Sequence, residues 1–261
     1  MMKRGLHTGV ATLLVLAVSA SASAAITVTY NVDVGGKKNA NPLNGLAAEA
    51  TYNLLSPTQL QVALRNVSTG VPTDFDFADS LLVSLGLNLP VSFSQGLSAV
   101  IGAGSTGRGS WSALGAGADV SSQWVFTNGG AGDTLAAYTQ VITTSNGLGG
   151  ATAQAFAPQA SVPVVGGPTG GIAANPELHS NPAQPYVRDT IVFTLNLAGS
   201  LTEGELLTAA QNGIVEFGSD ARYLTSTTGT YPPNVVPVPE PGAVLLGLLG
   251  LASAGVIGRR R

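Results

Sequence analysis

The chain has no cysteine, one histidine beyond its first twenty-odd residues, and only 10% charged residues in 261. Each shortage excludes something. Without cysteine there can be neither disulfides nor thiolate metal sites, although an exported protein could have used disulfides, so stability must come from burial. With His179 as the lone interior imidazole, a zinc site would need mainly carboxylates. Any Ser-His-Asp triad would have to recruit His179 from the proline-rich loop Asn175–Pro182, and no Gly-x-Ser-x-Gly elbow occurs. Basic residues are scarce where a polyanion would need them. Setting aside Lys3, Arg4, Glu240 and Arg259–Arg261 leaves six basic and thirteen acidic residues, about −7. That balance argues against nucleic acid and against anionic membrane surfaces as partners. No cofactor is expected.

Long apolar runs occur only at the two ends. Residues 1–25 read as a secretory signal peptide: Lys3 and Arg4, an apolar run Val10–Val18, and a small-residue stretch offering cleavage around Ala22, Ala24 and Ala25. Such a segment implicates the secretion translocon and signal peptidase. At the other end, Pro239-Glu240-Pro241 precedes an uncharged stretch Gly242–Gly258 and then Arg259, Arg260 and Arg261. Seventeen residues of helix rise about 25 Å, slightly short of a hydrocarbon core of about 30 Å, a mismatch that local thinning accommodates. The three arginines should stay cytoplasmic, placing everything before Pro239 outside. A buried helix of a soluble core is the alternative, but a core has no place for the arginines.

This order of rigid Pro-Glu-Pro motif, apolar stretch and basic end resembles the PEP-CTERM sorting signal of exopolysaccharide-producing Gram-negative bacteria. The resemblance implies an inner-membrane cysteine peptidase, exosortase, that cleaves near Pro239–Pro241. It also implies glycosylation on Ser/Thr and a biofilm setting. It covers about a tenth of the chain and identifies an address, not an activity. The ectodomain more loosely resembles β-rich domains on such proteins, through Leu64-Arg-Asn-Val-Ser-Thr69 and Asp79–Pro90.

Between the two ends, residues 26–224 predict a mostly β, antiparallel sandwich-like ectodomain with one short helix. Ile26, Val28, Tyr30, Val32 and Val34 alternate with polar residues, as a half-buried strand should. Further strands are expected at Ala48–Leu54, Gln59–Val67, Leu81–Leu89, Val91–Ile101, Gln123–Thr127, Leu135–Ile142, Val187–Leu197 and Ile214–Phe217. Residues 143–186 hold six prolines and no periodicity, which reads as a long loop or linker and the candidate boundary between two subdomains. Thr202-Glu-Gly-Glu205 has capping-box spacing ahead of Leu206, Leu207 and Ala210, and Asn212-Gly213 ends that helix. Residues 225–238 read as a flexible stem leading to the sorting segment 239–261.

Motifs for chemistry are few. Gly102-Ala-Gly104-Ser-Thr-Gly107 matches a dinucleotide fingerprint, but its glycine-rich sequel cannot supply the helix that holds a pyrophosphate. If extended, Asp74 and Asp76 share a face and could bind Ca²⁺ with Asp79; the plainer reading is a solvated loop anchored by Phe75 and Phe77. Glu49, Glu177, Glu203, Glu205 and Glu216 are formally available for a glycosidase pair, with Glu205 and Glu203 better explained by the helix start. Trp111, Trp124, Tyr138 and Tyr186 could stack on sugar rings, although aromatics more often form core. The expectation is a non-enzymatic protein in transit through the inner membrane to the surface or matrix, with exopolysaccharide as a partner; a carbohydrate-binding module or polysaccharide-acting enzyme is the alternative.

Overall fold

The alternation that starts at Ile26 becomes strand β1 (Ile26–Gly35), with Ile26, Val28 and Tyr30 buried and Thr27 and Thr29 half-exposed. The same pattern builds β2 (Ala48–Ser56) and β3 (Gln59–Asn66), joined by a hairpin turn at Pro57. The computed structural model describes residues 24–38, 42–129, 133–144, 156, 158 and 169–230. The signal-peptide and sorting-signal segments, apart from Ala24 and Ala25, lie outside them. Among the described residues no helix is long and apolar enough to cross a membrane.

The remaining strands are β4 (Leu82–Leu87), β5 (Phe93–Ile101), β6 (Thr106–Arg108), β7 (Trp124–Thr127), β8 (Gln140–Thr144), β9 (Ile172–Ala173), β10 (Tyr186–Arg188), β11 (Thr190–Leu197), β12 (Ile214–Phe217) and β13 (Arg222–Thr230). All belong to one sheet in the order β5-β11-β3-β2-β1-β13-β12-β4-β9-β10-β6, with β8 also on β4 and β7 beyond β8. Pairing is antiparallel except between β9 and β10. The sheet curls so that strands distant in this order meet. Trp124 of β7 packs edge-on against Phe193 of β11 with ring centroids 4.8 Å apart, and Phe126 lies 5.7 Å from Phe93 of β5. The result is barrel-like or sandwich-like, with one main apolar core.

The register shows why the core is continuous. Leu60, Val62 and Leu64 of β3 face Leu195, Phe193 and Ile191 of β11 across the ladder, so one inward row runs over both strands. Every residue of β4 is buried, because smaller apolar clusters around Val141–Ile214 and Val83–Tyr186 cover the faces that the main core leaves. Helix α1 (Glu203–Gln211) starts with the predicted capping box: the Glu205 amide donates to Thr202 Oγ1, and the Thr202 amide donates to Glu205 Oε2 at 2.9 Å. Its Leu206, Ala209 and Ala210 are buried and Leu207 packs at the margin of the core.

Several expectations need correction. Val32 and Val34 are 37% and 47% exposed. β2 pairs with β1 only as far as Tyr30, and register irregularities against β13 turn the rest of β1 off the inward face. Residues 225–230, expected in the stem, are the outer half of β13, paired to β1 and reaching Thr230. The expected strand Leu135–Ile142 begins instead as a short 3₁₀ turn, Asp133–Ala137, and only then becomes β8. Nor is 143–186 uniformly loop: Thr143 and Thr144 belong to β8, Phe156 is buried, and Ile172–Ala174 are buried in and beside β9. The fingerprint-like Gly102–Gly107 leads into β6 and a three-residue turn, Gly109–Trp111, with no helix after it.

Candidate functional site

Pro239, Glu240, Pro241, Arg259, Arg260, Arg261 and Ala22 lie outside the described residues. What the structure gives is their point of attachment. Ala24 and Ala25 are half-buried immediately before β1, and Thr27 of β1 pairs with Thr230 of β13. The chain before Ile26 and the chain after Thr230 therefore leave the sheet from one strand pair at one end. The eight residues 231–238 reach roughly 28 Å at most when extended, so the Pro-Glu-Pro motif begins a short tether's length from the fold.

The acidic turn is closed on itself. Asp79 Oδ2 accepts from the Asp76 amide and Asp76 Oδ1 from the Asp79 amide, both at 3.1 Å. Residues 73–74 and 77–80 are turns and no strand lies between them, so the extended run that would align Asp74 with Asp76 is not formed. Lys38 Nζ stands 3.2 Å from Asp79 Oδ2 and donates to the Asp74 carbonyl, and Asp79 raises the Lys38 ammonium above its ordinary range. Phe75 is buried and Phe77 packs edge-on against Tyr186, so the two phenylalanines anchor the turn. Among the described residues no cluster of three His, Asp or Glu side chains is placed to hold a metal ion.

The five glutamates are separated. Glu205 caps α1, and Glu203 lies in its first turn. Glu49 points outward from β2, opposite Arg65 across the ladder to β3. Glu177 binds Arg108 Nε and accepts from Tyr186 Oη at 2.9 Å; burial and that bond push the Tyr186 hydroxyl up to about 12. Glu216 is buried on β12 in a polar row crossing four strands: Tyr223, Glu216, Ser84 and Thr143 are successive partners on β13, β12, β4 and β8.

This row is the polar network that the sequence reading missed. The Ser84 hydroxyl donates to Glu216 Oε2 and lies 2.8 Å from Thr143 Oγ1, while the Asp220 amide donates to Glu216 Oε1 at 2.9 Å. Asp220 in turn accepts from Tyr223 Oη and from Lys37 Nζ, the latter at 2.6 Å. Burial pushes the Glu216 carboxyl up to about 8, against the smaller downward pull of Ser84 and the Asp220 amide. Glu216 itself is 1% exposed, so the row holds strands together and presents nothing to a substrate. An acid at the third position of the otherwise apolar Ile214-Val-Glu-Phe217 was its only trace in the sequence.

The aromatic candidates divide. Trp124 and Tyr186 are buried and belong to core clusters, so for these two the core alternative holds. Trp111 and Tyr138 are half-buried, packed at cluster margins. An open groove of about 530 Å³ runs between α1 and the segment after β4, lined by Asn88, Leu89, Pro90, Thr139, Glu205 and Thr208. Its polar groups already bond to the protein: Asn88 Oδ1 takes the Thr139 amide, Thr208 Oγ1 donates to the Gly204 carbonyl, and Glu205 is the cap.

No curated protein and no solved structure matches the chain. A protein-family model does match, over residues 237–261, and its description is the PEP-CTERM protein-sorting motif. It covers the Pro-Glu-Pro motif, the apolar stretch and the terminal arginines and leaves out the whole β fold. The chain thus carries a PEP-CTERM protein-sorting motif at residues 237–261, a few residues beyond the end of β13.

Proposed function

We propose that the chain is a non-enzymatic surface or extracellular-matrix protein with a structural or interaction role in an exopolysaccharide setting. The motif at residues 237–261 carries the proposal, because it supports exosortase-dependent sorting of an exported protein. In this reading the signal peptide starts export through the translocon. The apolar segment 242–258 halts the chain in the inner membrane with Arg259–Arg261 inside, and cleavage near Pro239–Pro241 frees an antiparallel sandwich-like ectodomain. A weakly charged surface rich in Ser, Thr, Asn and Gly suits a hydrated polysaccharide matrix and offers hydroxyls for glycosylation. The buried position of Glu216 and the hydrogen bonds that engage Glu205 at the start of α1 support this over a glycosidase built on either residue.

Intact mass and terminal peptides of the native protein, from cells and medium, test the reading. Loss of both ends, with excess mass as glycan, is the expected result. A membrane-bound product still ending in Arg261 would make the tail a plain anchor and overturn the sorting reading.

A further inference from the structure

The strand nearest the sorting segment is also the strand that joins the two halves of the sheet. β13 lies between β1 and β12, paired to both. On one side of it stand β5, β11, β3, β2 and β1; on the other stand β12 and β4, with β8, β7, β9, β10 and β6 beyond. Among the described residues no other strand is paired to both halves; their far ends meet only where β10 runs through Asp189 into β11, with the Asn66 amide on the Asp189 carbonyl and the Asp189 amide on the Ala173 carbonyl. Tyr223 and Leu224 of β13 are buried, and Leu224 belongs to the main core. The turn leading into β13 is tied to the end of β1 as well: the Lys37 amide donates to the Asp220 carbonyl at 2.7 Å, and Arg222 pairs with Asp33. Without residues 222–230, β1 and β12 would each present an unpaired edge in the middle of the sheet, where every backbone polar group needs a partner.

We infer that β13 is the closing strand of the ectodomain, so that the fold is completed only when the sorting segment reaches the membrane. This rests on the sorting reading for its timing and on the sheet order for its mechanism. Eleven residues, 231–241, separate Thr230 from the apolar stretch. Extended, they span roughly 36–40 Å, close to the 40–45 Å of a whole bilayer with its headgroups. β13 therefore clears the outer face of the membrane at about the point where residues 242–258 enter it. The preceding chain therefore reaches the outer side before its central strand is there to pair, and membrane arrest and fold completion coincide. Cleavage near Pro239–Pro241 comes after β13 and leaves the completed ectodomain intact.

Full-length protein and two truncated chains, all made with their signal peptide and recovered outside the inner membrane, test the inference by limited proteolysis. A chain ending at Thr230 is expected to give the same protease-resistant core as the full-length protein; a chain ending at Ala221 is expected to lose it. In the full-length chain, Thr225→Pro removes a ladder amide from β13 without shortening anything, and the resistant core should be lost there too. Resistance of the Ala221-ending chain or of Thr225→Pro equal to that of the full-length protein would overturn the closing role. Digestion of the Thr230-ending chain would also overturn it, by assigning completion to residues beyond β13. None of these readouts depends on cleavage at the sorting motif, and a failure of sorting would show separately as an intact Arg261 terminus.

Discussion

The hydroxyls of Tyr30 and Tyr52 lie 2.5 Å apart in the core, and Tyr30 Oη also donates to the carbonyl of Ala210 at 2.9 Å. Since Tyr30 has one proton and gives it to Ala210, Tyr52 is the donor to Tyr30. The pair thus links β2 through β1 to the last turn of α1, where the Ala210 carbonyl also takes the Gly213 amide at 3.2 Å. Burial holds both phenols well above their ordinary range, so both stay neutral throughout the stable pH range.

Tyr52→Phe removes one donor and leaves the Tyr30–Ala210 bond intact. It should cost about 1 kcal/mol, the usual net worth of a buried hydrogen bond. Tyr30→Phe removes both bonds, leaving the Tyr52 hydroxyl without its partner and the Ala210 carbonyl with the Gly213 amide alone, and should cost about 2–3 kcal/mol. Urea unfolding of the two variants checks the order; equal losses would mean that α1 is not held through this bond.

Glu216 makes stability depend on pH in an unusual direction. Its carboxyl ionises near 4.5 when unfolded and near 8 when buried. Between those values the folded chain holds a proton that the unfolded chain has released, so stability should fall as pH rises and level off above about 8. Glu216→Gln keeps an acceptor for the Asp220 amide and sets an NH₂ group toward Ser84, whose hydroxyl can turn to Thr143. The variant should lose the slope over this window whatever its absolute stability. Thermal unfolding of both proteins between pH 5 and 8 decides the matter, and parallel slopes would remove Glu216 as the cause.

The elements that could be read from the sequence were those whose local pattern and tertiary role coincide. β3 and β11 alternate cleanly because one face of each lies on the core, and the capping box needs only Thr202 and Glu205. β13 was hidden because Thr225-Ser-Thr-Thr-Gly-Thr230 has no contrast in hydropathy; it is a strand because β1 and β12 supply its hydrogen bonds. The Glu216 row was hidden for the same reason, as it exists only once four strands are in register. The sorting tail was legible because membrane entry depends on local hydropathy and flanking charge, with no need of tertiary partners. Trp124 shows the converse case, an aromatic whose place in the core is decided by Phe193, some seventy residues away.

Calcium should leave the ectodomain unchanged. The carboxylates of Asp76 and Asp79 are taken up by each other's backbone amides, and Lys38 already supplies the positive charge at Asp79. A cation would have to displace an ammonium and open the turn. Calorimetric titration at millimolar Ca²⁺ should show no heat and no rise in melting temperature; a saturable signal lost in Asp79→Asn would reinstate a calcium site.

The two tryptophans should behave differently. Trp124→Ala empties a buried position and should cost about 3–5 kcal/mol, so its loss cannot report on a ligand. Trp111 is only half-buried at the margin of the core, and Trp111→Ala should retain the fold. Glycan-array binding by the wild type that disappears in folded Trp111→Ala would favour a carbohydrate-binding module. Equal signals from the two proteins would leave Trp111 a packing residue.

Replacing Pro239, Glu240 and Pro241 together by alanine separates sorting from anchoring. The apolar stretch 242–258 and the arginines are untouched, so arrest in the membrane with the ectodomain outside should persist. β13 is also untouched and ends at Thr230, so the ectodomain should fold as before. What changes is the rigid, extended backbone that the two prolines impose and the carboxylate between them. The expected outcome is a folded, membrane-retained precursor whose C-terminal peptide still ends in Arg261, while wild type loses that peptide. Arg259–Arg261 replaced by alanine gives the complementary arm: the Pro-Glu-Pro motif remains, but the cytoplasmic stop is weakened, so less protein should arrest and be processed. Normal maturation of the triple-alanine motif variant would place recognition in the apolar stretch and remove the role assigned to Pro239–Pro241.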